Sequence, residues 1–418
     1  MKKILALFCS LLLAGSVFLA CGWAGRVRRD VTIGGVQVGG MTYAEAERAV
    51  RETLSVPFVL HTPAGDVTPT LSYSDDVSLL VRRAKKGAVL TPQVRRVWAD
   101  AEGFLEDVCE KCVQTPVDAA MQFTSEGFTY TQERAGVYCD YAASLAAALA
   151  AIGRGEREAT LVTRVWRPAV TERQLRARTQ RLARFTTYFD GEKSARVHNI
   201  SLACGRIAGT VLAPGETLSF NDVVGERTRE NGFQDAAVIL NGEFVQGTGG
   251  GVCQVSTTLM GAAVRAGLVI RESHPHSLSV GYVQPSQDAM VSRYSDLKLR
   301  NPYAFPVYLL GKTAGSSITF EIFGAPDGKR YDIESCVLEY IDPPPAEVRQ
   351  GEENRTVRAE KQGLRSESYL VTYAADGSVI SRKLLRRDSY AAVQGIYVVS
   401  GAQQAQGGEG TEEAPSAR

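Results

Sequence analysis

The sequence predicts a multi-domain α+β protein, and three observations lead to that prediction. The chain has 418 residues, which is long for a single core and typical of two or three domains. Hydrophobic residues make up 44% and charged residues 22%, a globular composition that excludes a largely disordered or coiled-coil chain. Helical apolar patterns and short β-branched runs follow one another along it. The formal net charge of +1 shows no basic surplus, so we expect no nucleic-acid partner.

Residues 1–25 predict a signal peptide or membrane anchor. Met1-Lys2-Lys3 precedes an uncharged apolar run over residues 4–20, which is typical of a secretory signal. The run is also long enough for an uncleaved anchor, and Cys21 after a small residue is similar to a lipoprotein cleavage site. All three alternatives place the remaining chain outside the cytoplasmic membrane, so we expect an extracytoplasmic protein of the cell envelope.

A strand–helix–strand pattern occurs twice within residues 30–175 and predicts one α+β domain. Thr42 and Glu45 have the spacing of a capping box at the start of the first helix. Asp140 is the expected cap of the second helix, which we expect over residues 142–152. The segment between the two units is predicted to be a helical insert. We expect the inner face of the first helix to comprise Ala46, Ala49, Val50 and Thr53.

Cys109 and Cys112 form a CxxC pair inside a predicted helix. A second CxxC or a neighbouring pair of histidines would indicate metal or redox chemistry, and neither follows nearby in the sequence. We therefore expect a structural or incidental pair, which a disulfide outside the cell can join. Eight cysteines are too few for a disulfide scaffold of this length.

The strings GVQVGGMTYAEAERAV and DAAMQFTSEGFTYTQERAGVYCDYAASL give residues 30–175 a resemblance to the peptidoglycan-binding domain found beside cell-wall transpeptidase modules. The resemblance implies peptidoglycan as a partner of this region. The alternative is a β–α spacer without a ligand.

Residues 185–311 contain the strongest local patterns. Val197, Ile200, Cys204 and Ile207 share one helical face, so Cys204 is expected to be a core thiol. A turn at Pro214-Gly215 is followed by a strand, and Asn241-Gly242 predicts a two-stranded hairpin.

Cys253 follows three glycines, at residues 249–251, and begins a predicted helix. A cysteine in the first helical turn lies at the positive end of the macrodipole and beside unpaired amides, which favour the thiolate and can stabilise an oxyanion. The buried stripe of this helix is expected to comprise Val255, Leu259, Ala262, Ala263 and Ala266, with Gly267 at its end.

His276 precedes one predicted strand and Asp288 begins another, so a hairpin is expected to bring both to Cys253. A thiol, a general base and an orienting acid together support nucleophilic catalysis. The order Cys, His, acid along the chain resembles that of papain-like, transglutaminase-like and NlpC-type hydrolases. A binding pocket without turnover and a purely structural site remain alternatives. Adding His274 gives no familiar metal-ligand spacing, so no metal or cofactor is expected.

Residues 185–311 resemble the VanW-like domain. The strings that carry the resemblance are HNISLACGRIAGTVLAPGETLSFNDVVGERTRENGFQDAAVI, GGGVCQVSTTLMGAAVRAGL and HSLSVGYVQPSQDAMV. It implies a role in the cell envelope near peptidoglycan, without an established reaction. Ser286 stands where the family usually has Gly, and Ser273 where Arg is common. Besides Cys253, His276 and Asp288, the family positions that we expect to bind ligand are Asn199, Asn221, Arg227, Gly249, Gly250, Gly251 and Gln254.

Residues 312–400 predict a β-rich region that weakly resembles the G5 module, with a hairpin at Asp376-Gly377. Residues 402–418 lack a hydrophobic pattern and predict a disordered tail.

Together these patterns predict an envelope protein that binds or helps to remodel peptidoglycan through its VanW-like domain. The expected partners are peptidoglycan or its stem peptides, cell-wall synthesis proteins, and the membrane through the N-terminal segment. The alternative is a cysteine amidase or transpeptidase acting on stem peptides, with Cys253 as nucleophile, His276 as base and Asp288 as orienting group.

Overall fold

The computed structural model describes residues 25–240 and 243–400, without the side chains of residues 239–244. This part of the chain has a mixed α+β fold with ten small sheets, which confirms the predicted fold class at that level. The predicted export segment, the Asn241-Gly242 turn and the predicted disordered tail lie outside the described residues. Within the described ranges, no helix has the length and apolar character needed to cross a membrane.

Eight helices occur in the described residues. They are α1 (Tyr43–Leu54), α2 (Val77–Arg83), α3 (Ala101–Lys111), α4 (Tyr141–Gly153), α5 (Glu172–Ala177), α6 (Ser194–Ile207), α7 (Phe220–Val224) and α8 (Val252–Arg265). The strands before α6 are β1 (Thr32–Ile33), β2 (Val36–Gln37), β3 (Val59–His61), β4 (Ser72–Asp75), β5 (Val89–Leu90), β6 (Val94–Val97), β7 (Ala120–Thr124), β8 (Gly127–Thr131), β9 (Gly136–Cys139), β10 (Glu158–Thr160), β11 (Thr163–Trp166) and β12 (Gln180–Tyr188). The strands after α6 are β13 (Thr210–Leu212), β14 (Thr217–Ser219), β15 (Asp235–Leu240), β16 (Glu243–Thr248), β17 (Val269–Glu272), β18 (Lys298–Arg300), β19 (Val307–Ala314), β20 (Ser317–Gly324), β21 (Arg330–Ile341), β22 (Glu347–Gly351), β23 (Arg355–Arg358), β24 (Gly363–Tyr373), β25 (Val379–Tyr390) and β26 (Ile396–Ser400).

One compact unit comprises the described residues up to Asp118 together with Glu133–Ala169. Its helix α1 begins with the predicted capping box: the Thr42 hydroxyl accepts from the Glu45 amide at 3.3 Å, and the Glu45 carboxylate accepts from the Thr42 amide at 2.8 Å. Ala46 and Val50 are buried as predicted, whereas Thr53 is exposed. The inner face therefore does not include Thr53, whereas Leu54 in the same turn packs against the core.

The second predicted helix of this unit is α4, which is one residue longer at each end than expected. The Asp140 side chain accepts a hydrogen bond from the Ala143 amide at 3.2 Å, as an N-cap does. The strand after α1, β3, pairs in parallel with β10, the strand after α4. The predicted insert between the units contains strands β4 to β6 as well as α2 and α3, so a purely helical insert is wrong.

The cysteine pairing in this unit differs from the CxxC pair. Cys109 is bonded to Cys139, 30 residues further along, while Cys112 is free and buried. The reason is positional: β9 brings Cys139 to the buried side of α3, and the two Cα atoms lie 5.2 Å apart. The disulfide between Cys109 and Cys112 that the sequence left open does not form, whereas the expected structural role of Cys109 fits its disulfide with Cys139.

The other compact unit comprises Ala119–Gln132 and the described residues from Val170 onward. Its main sheet has the antiparallel order β12-β20-β19-β13, and helices α6 and α8 pack on it. The β7–β8 hairpin also belongs here, because Phe123 and Phe128 each contact the Tyr308 ring edge-on with centroids 5.1 Å apart. Strands β15 and β16 pair in the predicted hairpin register.

Helix α8 is buried on nearly every side. The predicted stripe is buried, and Gln254, Ser256, Thr257, Met260 and Gly261 are buried as well. A Cβ added to Gly261 would lie 2.3 Å from the Phe185 ring, so β12 packs directly against the helix backbone there. Because α8 is the central element of this unit, the position of its first turn is fixed from several directions.

The two strands predicted after His276 and at Asp288 do not form. The segment is irregular, and its ladder contact is an isolated bridge between His274 and Met290. Its backbone binds side chains of α8 instead: the Ala289 amide donates to the Thr257 hydroxyl at 2.9 Å, and the Ala289 carbonyl accepts from Ser256 at 2.6 Å. The alternation of apolar and polar residues therefore does not indicate strands in this segment, because the segment is buried on one side against a polar helix face.

The C-terminal strands form two sheets of order β21-β24-β25 and β22-β26-β23. The predicted hairpin at Asp376-Gly377 joins β24 to β25, with Gly377 in the left-handed region at a φ of 85°. Strands β19 and β20 join the main sheet beside α8 rather than these two sheets. The domain boundaries expected from the sequence pattern stay predictions.

Candidate active site at the start of helix α8

A cleft of about 1570 Å³ opens at the first turn of α8. Its walls come from the start of α6, the segment after α7, the β15–β16 hairpin and the irregular segment after β17. Cys253, His276, Arg227 and Tyr282 line it, and Lys361 reaches it from the C-terminal strands. The volume is sufficient for a peptide of several residues.

The three glycines permit α8 to begin in this crowded position. Gly249 and Gly251 have φ values of 89° and 107°, in the left-handed region that favours glycine. Gly250 has an ordinary φ, but a Cβ there would lie 2.6 Å from the Ala237 carbonyl oxygen. The backbone of the glycine run thus lies against β15, where no side chain fits.

Cys253 is the second residue of α8 and is partly exposed to the cleft. Its Sγ atom lies 3.4 Å from the Val291 carbonyl oxygen and accepts a hydrogen bond from the Val291 amide at 3.5 Å. Two first-turn amides of α8, those of Val252 and Gln254, donate to the Gly249 and Gly251 carbonyls at 3.1 and 3.0 Å. The Cys253 amide lies between them at the positive end of the helix dipole.

His276 and Asp288 form a tight buried pair behind the sulfur. His276 Nδ1 lies 2.6 Å from Asp288 Oδ2, and the same oxygen accepts from the His276 backbone amide at 2.7 Å. The His276 side chain also interacts with the Cys253 thiol, and this interaction shifts the pKa of both groups. Because Nδ1 is engaged by Asp288, Nε2 is the ring nitrogen available to the thiol. The structure thus brings together the three residues that the sequence singled out.

The charges of this group favour an ion pair of thiolate and imidazolium. Burial opposes ionisation of Cys253, but His276, the Val291 backbone and the Arg227 guanidinium outweigh it and lower the pKa of the thiol. Burial likewise disfavours a charged His276, yet its bonds to Asp288 and Cys253 raise its pKa to about 9. Burial also opposes the charge of Asp288, whose pKa is lowered by His276 and Arg386.

Arg227 and Asn221 also line the cleft, as predicted ligand-binding positions. Arg227 Nη2 donates to the Asn221 side-chain oxygen at 2.5 Å, and Asn221 Nδ2 donates to the Ser292 carbonyl at 3.0 Å. The pair connects the segment after α7 to the segment that follows Asp288. The hydrogen bond between the two side chains holds the Arg227 guanidinium, a cation, close to the Cys253 sulfur.

Asn199 and Gln254 support the site from behind. Asn199 is fully buried and binds backbone only: Nδ2 donates to the carbonyls of Gln234 and Gly250 at 2.9 and 3.0 Å. The side-chain nitrogen of Gln254 donates to the Thr187 hydroxyl at 3.0 Å, and its side-chain oxygen accepts from Arg196 at 2.9 Å. These contacts brace the glycine run and the first turn of α8, and ligand binding by the two side chains stays a prediction.

His274 lies apart from this group, and its Nε2 is 3.1 Å from Glu272. Within residues 25–240 and 243–400, no set of three or more Cys, His, Asp or Glu side chains is placed to hold a metal ion.

Sequence reasoning missed the residues that the C-terminal strands contribute. Tyr390 donates to Asp288 Oδ1 at 2.6 Å, and Arg386 Nη2 donates to the same oxygen at 2.8 Å. Both lie about a hundred residues after Asp288 in strand β25. An Arg or Tyr in an alternating strand has no local pattern that marks it as part of a distant site.

Comparison with known proteins identifies the central segment. Residues 195–323 match the family model described as VanW like protein. The chain therefore carries a VanW-like domain, which confirms the resemblance found in the sequence. The sequence-predicted segment of residues 185–311 overlaps this match, which also includes β20.

Two curated relatives match part of the chain. The chain is 43% identical over 148 residues to "Uncharacterized protein YoaR" of Bacillus subtilis (strain 168), covering 35% of this chain and 49% of that protein. It is 30% identical over 113 residues to "Vancomycin B-type resistance protein VanW" of Enterococcus faecalis (strain ATCC 700802 / V583), covering 25% and 41%. The chain thus spans less than half the length of these relatives.

Two solved G5 structures show a distant likeness. The IgA1 protease G5 domain aligns with a TM-score of 0.13 and 18% identity, covering 17% of this chain and 88% of that domain. The crystal structure of HP0197-G5 aligns with a TM-score of 0.11 and 17% identity, covering 16% and 96%. Likenesses of this size carry no argument about fold or function.

Proposed function

We propose that this chain is an extracytoplasmic protein of the cell envelope whose VanW-like domain performs cysteine-dependent acyl transfer on peptidoglycan stem peptides. The observation that carries the proposal is the placement of Cys253 and the hydrogen-bonded His276–Asp288 pair at the wall of one peptide-sized cleft. A nucleophile, a base and a group that orients the base are what acyl transfer through a thiol requires.

The chemical steps follow from these positions. The Cys253 thiolate attacks the peptide carbonyl carbon and forms a C–S bond, while the carbonyl oxygen takes the negative charge and is stabilised by the Cys253 amide at the positive end of the α8 dipole. The C–N bond then breaks as His276 Nε2 gives its proton to the leaving amine. Water or a second amine next attacks the thioester and loses a proton to His276, and the C–S bond breaks. Water yields hydrolysis and an amine yields transpeptidation.

The extracytoplasmic location has support that is independent of the site. The Cys109–Cys139 disulfide is typical of an oxidising compartment outside the cytoplasm. The apolar run over residues 4–20 predicts export. One relative is named for vancomycin resistance, and the resemblance of residues 30–175 to a peptidoglycan-binding domain points to the same substrate class. In this proposal the N-terminal region binds the wall and the membrane segment or signal places the chain there.

Binding of stem peptides or a wall-synthesis protein without turnover is the second candidate. It is favoured by the two contacts between Cys253 Sγ and the backbone of Val291, since a thiol held in this way can be purely structural. The cleft then serves as a recognition pocket for an adaptor protein.

The deciding measurement is the pH dependence of Cys253 alkylation by iodoacetamide, followed on the Cys253 peptide by mass spectrometry. Peptide-level detection separates this site from Cys336, which is free and exposed. We expect an inflection well below about 8.5, the ordinary thiol value, because the thiolate is stabilised by His276. Stem peptides incubated with the protein should then gain new amino termini, and the Cys253→Ser variant should yield none. A folded protein whose Cys253 stays unreactive, or titrates at 8.5 or above, would overturn catalysis and leave the binding function.

A further inference from the structure

The segment that carries Asp288 is attached to the C-terminal strands by its neighbours as well as by Asp288 itself. The Ser286 amide donates to the Tyr390 hydroxyl at 2.8 Å, and the Ser286 hydroxyl lies 2.7 Å from that of Ser366 on β24. The Ser335 hydroxyl on β21 donates to the Pro285 carbonyl. Three strands of one sheet therefore fix the backbone that leads into Asp288.

The backbone conformation at this point needs such support. Ser286 has a φ of 61°, a left-handed conformation that costs a residue with a side chain roughly 1–2 kcal/mol. Ser286 is fully buried, so the hydrogen bonds to Tyr390 and Ser366 are not exchanged with water. The surrounding strands hold a turn that the residue itself disfavours.

Asp288 is fully buried, and each of its oxygens has two donors. Oδ2 accepts from the His276 ring and backbone, and Oδ1 accepts from Tyr390 and Arg386. Arg386 is itself nearly buried and also pairs with Asp388 at 2.7 Å. The donors on Oδ1 set the plane of the carboxylate and hence the direction in which Oδ2 meets His276.

From this geometry we infer that Arg386 and Tyr390 are positioning residues of the Cys253 site, so that strand β25 completes a site otherwise built within the VanW-like domain. The inference rests on the proposed function, because a positioning role has meaning only if Cys253 reacts. It assigns a role in the reaction to a strand that lies outside the family match at residues 195–323.

The effect should pass along the hydrogen-bond chain in a definite direction. Without the Arg386 charge or the Tyr390 hydroxyl, burial raises the pKa of Asp288 and favours its neutral form. A neutral Asp288 no longer stabilises the imidazolium, so the pKa of His276 falls. The Cys253 thiolate then loses the imidazolium cation beside it, and the pKa of the thiol rises toward its ordinary value.

The test is the alkylation profile of Cys253 in the full chain carrying Arg386→Gln, Arg386→Lys or Tyr390→Phe. Arg387→Gln is the matched control, since Arg387 is the next residue of β25 and its exposed side chain pairs with Glu367. We expect about tenfold slower alkylation at pH 6.5 in Arg386→Gln and Tyr390→Phe, which corresponds to one pKa unit. Arg386→Lys keeps a cation and should restore part of the rate, whereas the control should match the wild type. Circular dichroism and the Tm establish that each variant is folded, and Tyr390→Phe conserves the ring if Arg386→Gln does not fold.

The outcomes separate the two proposals. A wild-type profile with a low inflection that stays unchanged in Tyr390→Phe and Arg386→Gln overturns the positioning role and leaves the proposed function standing. A wild-type profile with an ordinary thiol inflection overturns the proposed function and the positioning role with it. An equal loss of alkylation rate in Arg386→Gln and Arg386→Lys at unchanged Tm contradicts a positioning role for the Arg386 cation. Tyr390 is then the one positioning residue that remains of the two.

Discussion

Two cysteines of the same compact unit show how position decides the chemistry of a thiol. Cys204 lies in the last turn of α6, and Cys253 lies in the first turn of α8. Burial raises the pKa of Cys204 to about 12, and its sulfur packs where Gly311 leaves room for it. The pKa of Cys253 is lowered although burial acts on it in the same sense.

The difference lies in the polar partners and not in the hydrophobic surroundings. Cys253 has the His276 ring, the Val291 backbone and the Arg227 cation beside its sulfur, whereas burial is the cause that shifts Cys204. The comparison teaches that the place of a cysteine in a helical sequence pattern says little by itself about its reactivity. The electrostatic partners within a few ångströms determine whether a buried thiol is inert or ionised.

The largest effect should come from removing the imidazole, which makes Cys253 resemble Cys204. In His276→Asn, the Arg227 cation remains, but the imidazolium that opposes burial of the thiol more strongly is lost, so the pKa of the thiol should rise above the ordinary value. We expect alkylation of Cys253 at pH 6.5 to fall about 100-fold, the equivalent of two pKa units. His274→Asn is the matched control, because His274 lies two residues away, is partly exposed and binds Glu272 instead. An equal loss in both variants would show that the loop and not the imidazole is responsible.

Local pattern predicted the parts of this comparison that depend on neighbouring residues in the chain. The periodicity around Cys204 predicts a core thiol, and the glycine run predicts Cys253 at a helix start; both are confirmed. The sequence also predicted His276 and Asp288 close to Cys253, but through strands that do not form.

The remaining contacts could not be predicted because they depend on tertiary packing. Tyr390 and Arg386 reach Asp288 across about a hundred residues, and nothing in an alternating strand distinguishes them from other inward-facing side chains. The partner of Cys109 was missed for the same reason, since β9 brings Cys139 beside α3 only in the folded unit. Spacing in the sequence predicts contacts along one element and seldom between elements.

A smaller effect concerns stability as a function of pH, and it distinguishes an ion pair from an isolated thiol. The raised pKa of His276, about 9, gives stability that is present below the unfolded value and is lost as pH rises through 9. The lowered pKa of Cys253 gives stability that is present above its unfolded value and is lost as pH falls through the folded pKa. A folded thiolate–imidazolium pair holds one proton, and the unfolded pair also holds one between about pH 6.5 and 8.5, the unfolded pKa values of the two groups. The contribution of such an ion pair is therefore constant in this range.

Urea denaturation from pH 5 to 10 measures this contribution as the free energy of unfolding of the wild type minus that of Cys253→Ser. In the variant only the His276 contribution remains, so its stability should decline above about pH 6.5 by up to about 1.4 kcal/mol per pH unit. The free energy of unfolding of the wild type minus that of Cys253→Ser should therefore grow toward pH 8.5. A difference that stays flat over this range would show a neutral thiol, and Cys253 would then be a second Cys204.

The smallest effect that we expect concerns backbone strain, which the Cys253 site carries at Ser286 and the helix around Cys204 does not. Asp30 and Ser286 are the two non-glycine residues with positive φ in the described part of the chain. Ser286→Ala keeps the strain and loses the hydrogen bond to Ser366, while Ser286→Gly loses the same bond and relieves the strain. We expect the glycine variant to be about 1 kcal/mol more stable than the alanine variant in urea denaturation.

Ser366→Ala measures the hydrogen bond by itself, because it leaves the backbone at residue 286 unchanged and removes the hydroxyl that faces Ser286. If Ser286→Ala and Ser366→Ala are equally destabilised and Ser286→Gly is less so, the strain is real and the C-terminal strands maintain it. An alanine variant as stable as the glycine variant contradicts strain at this turn. The turn before Asp288 would then be relaxed without support from the C-terminal sheet. The orientation of Asp288 would depend on its hydrogen bonds to Tyr390 and Arg386.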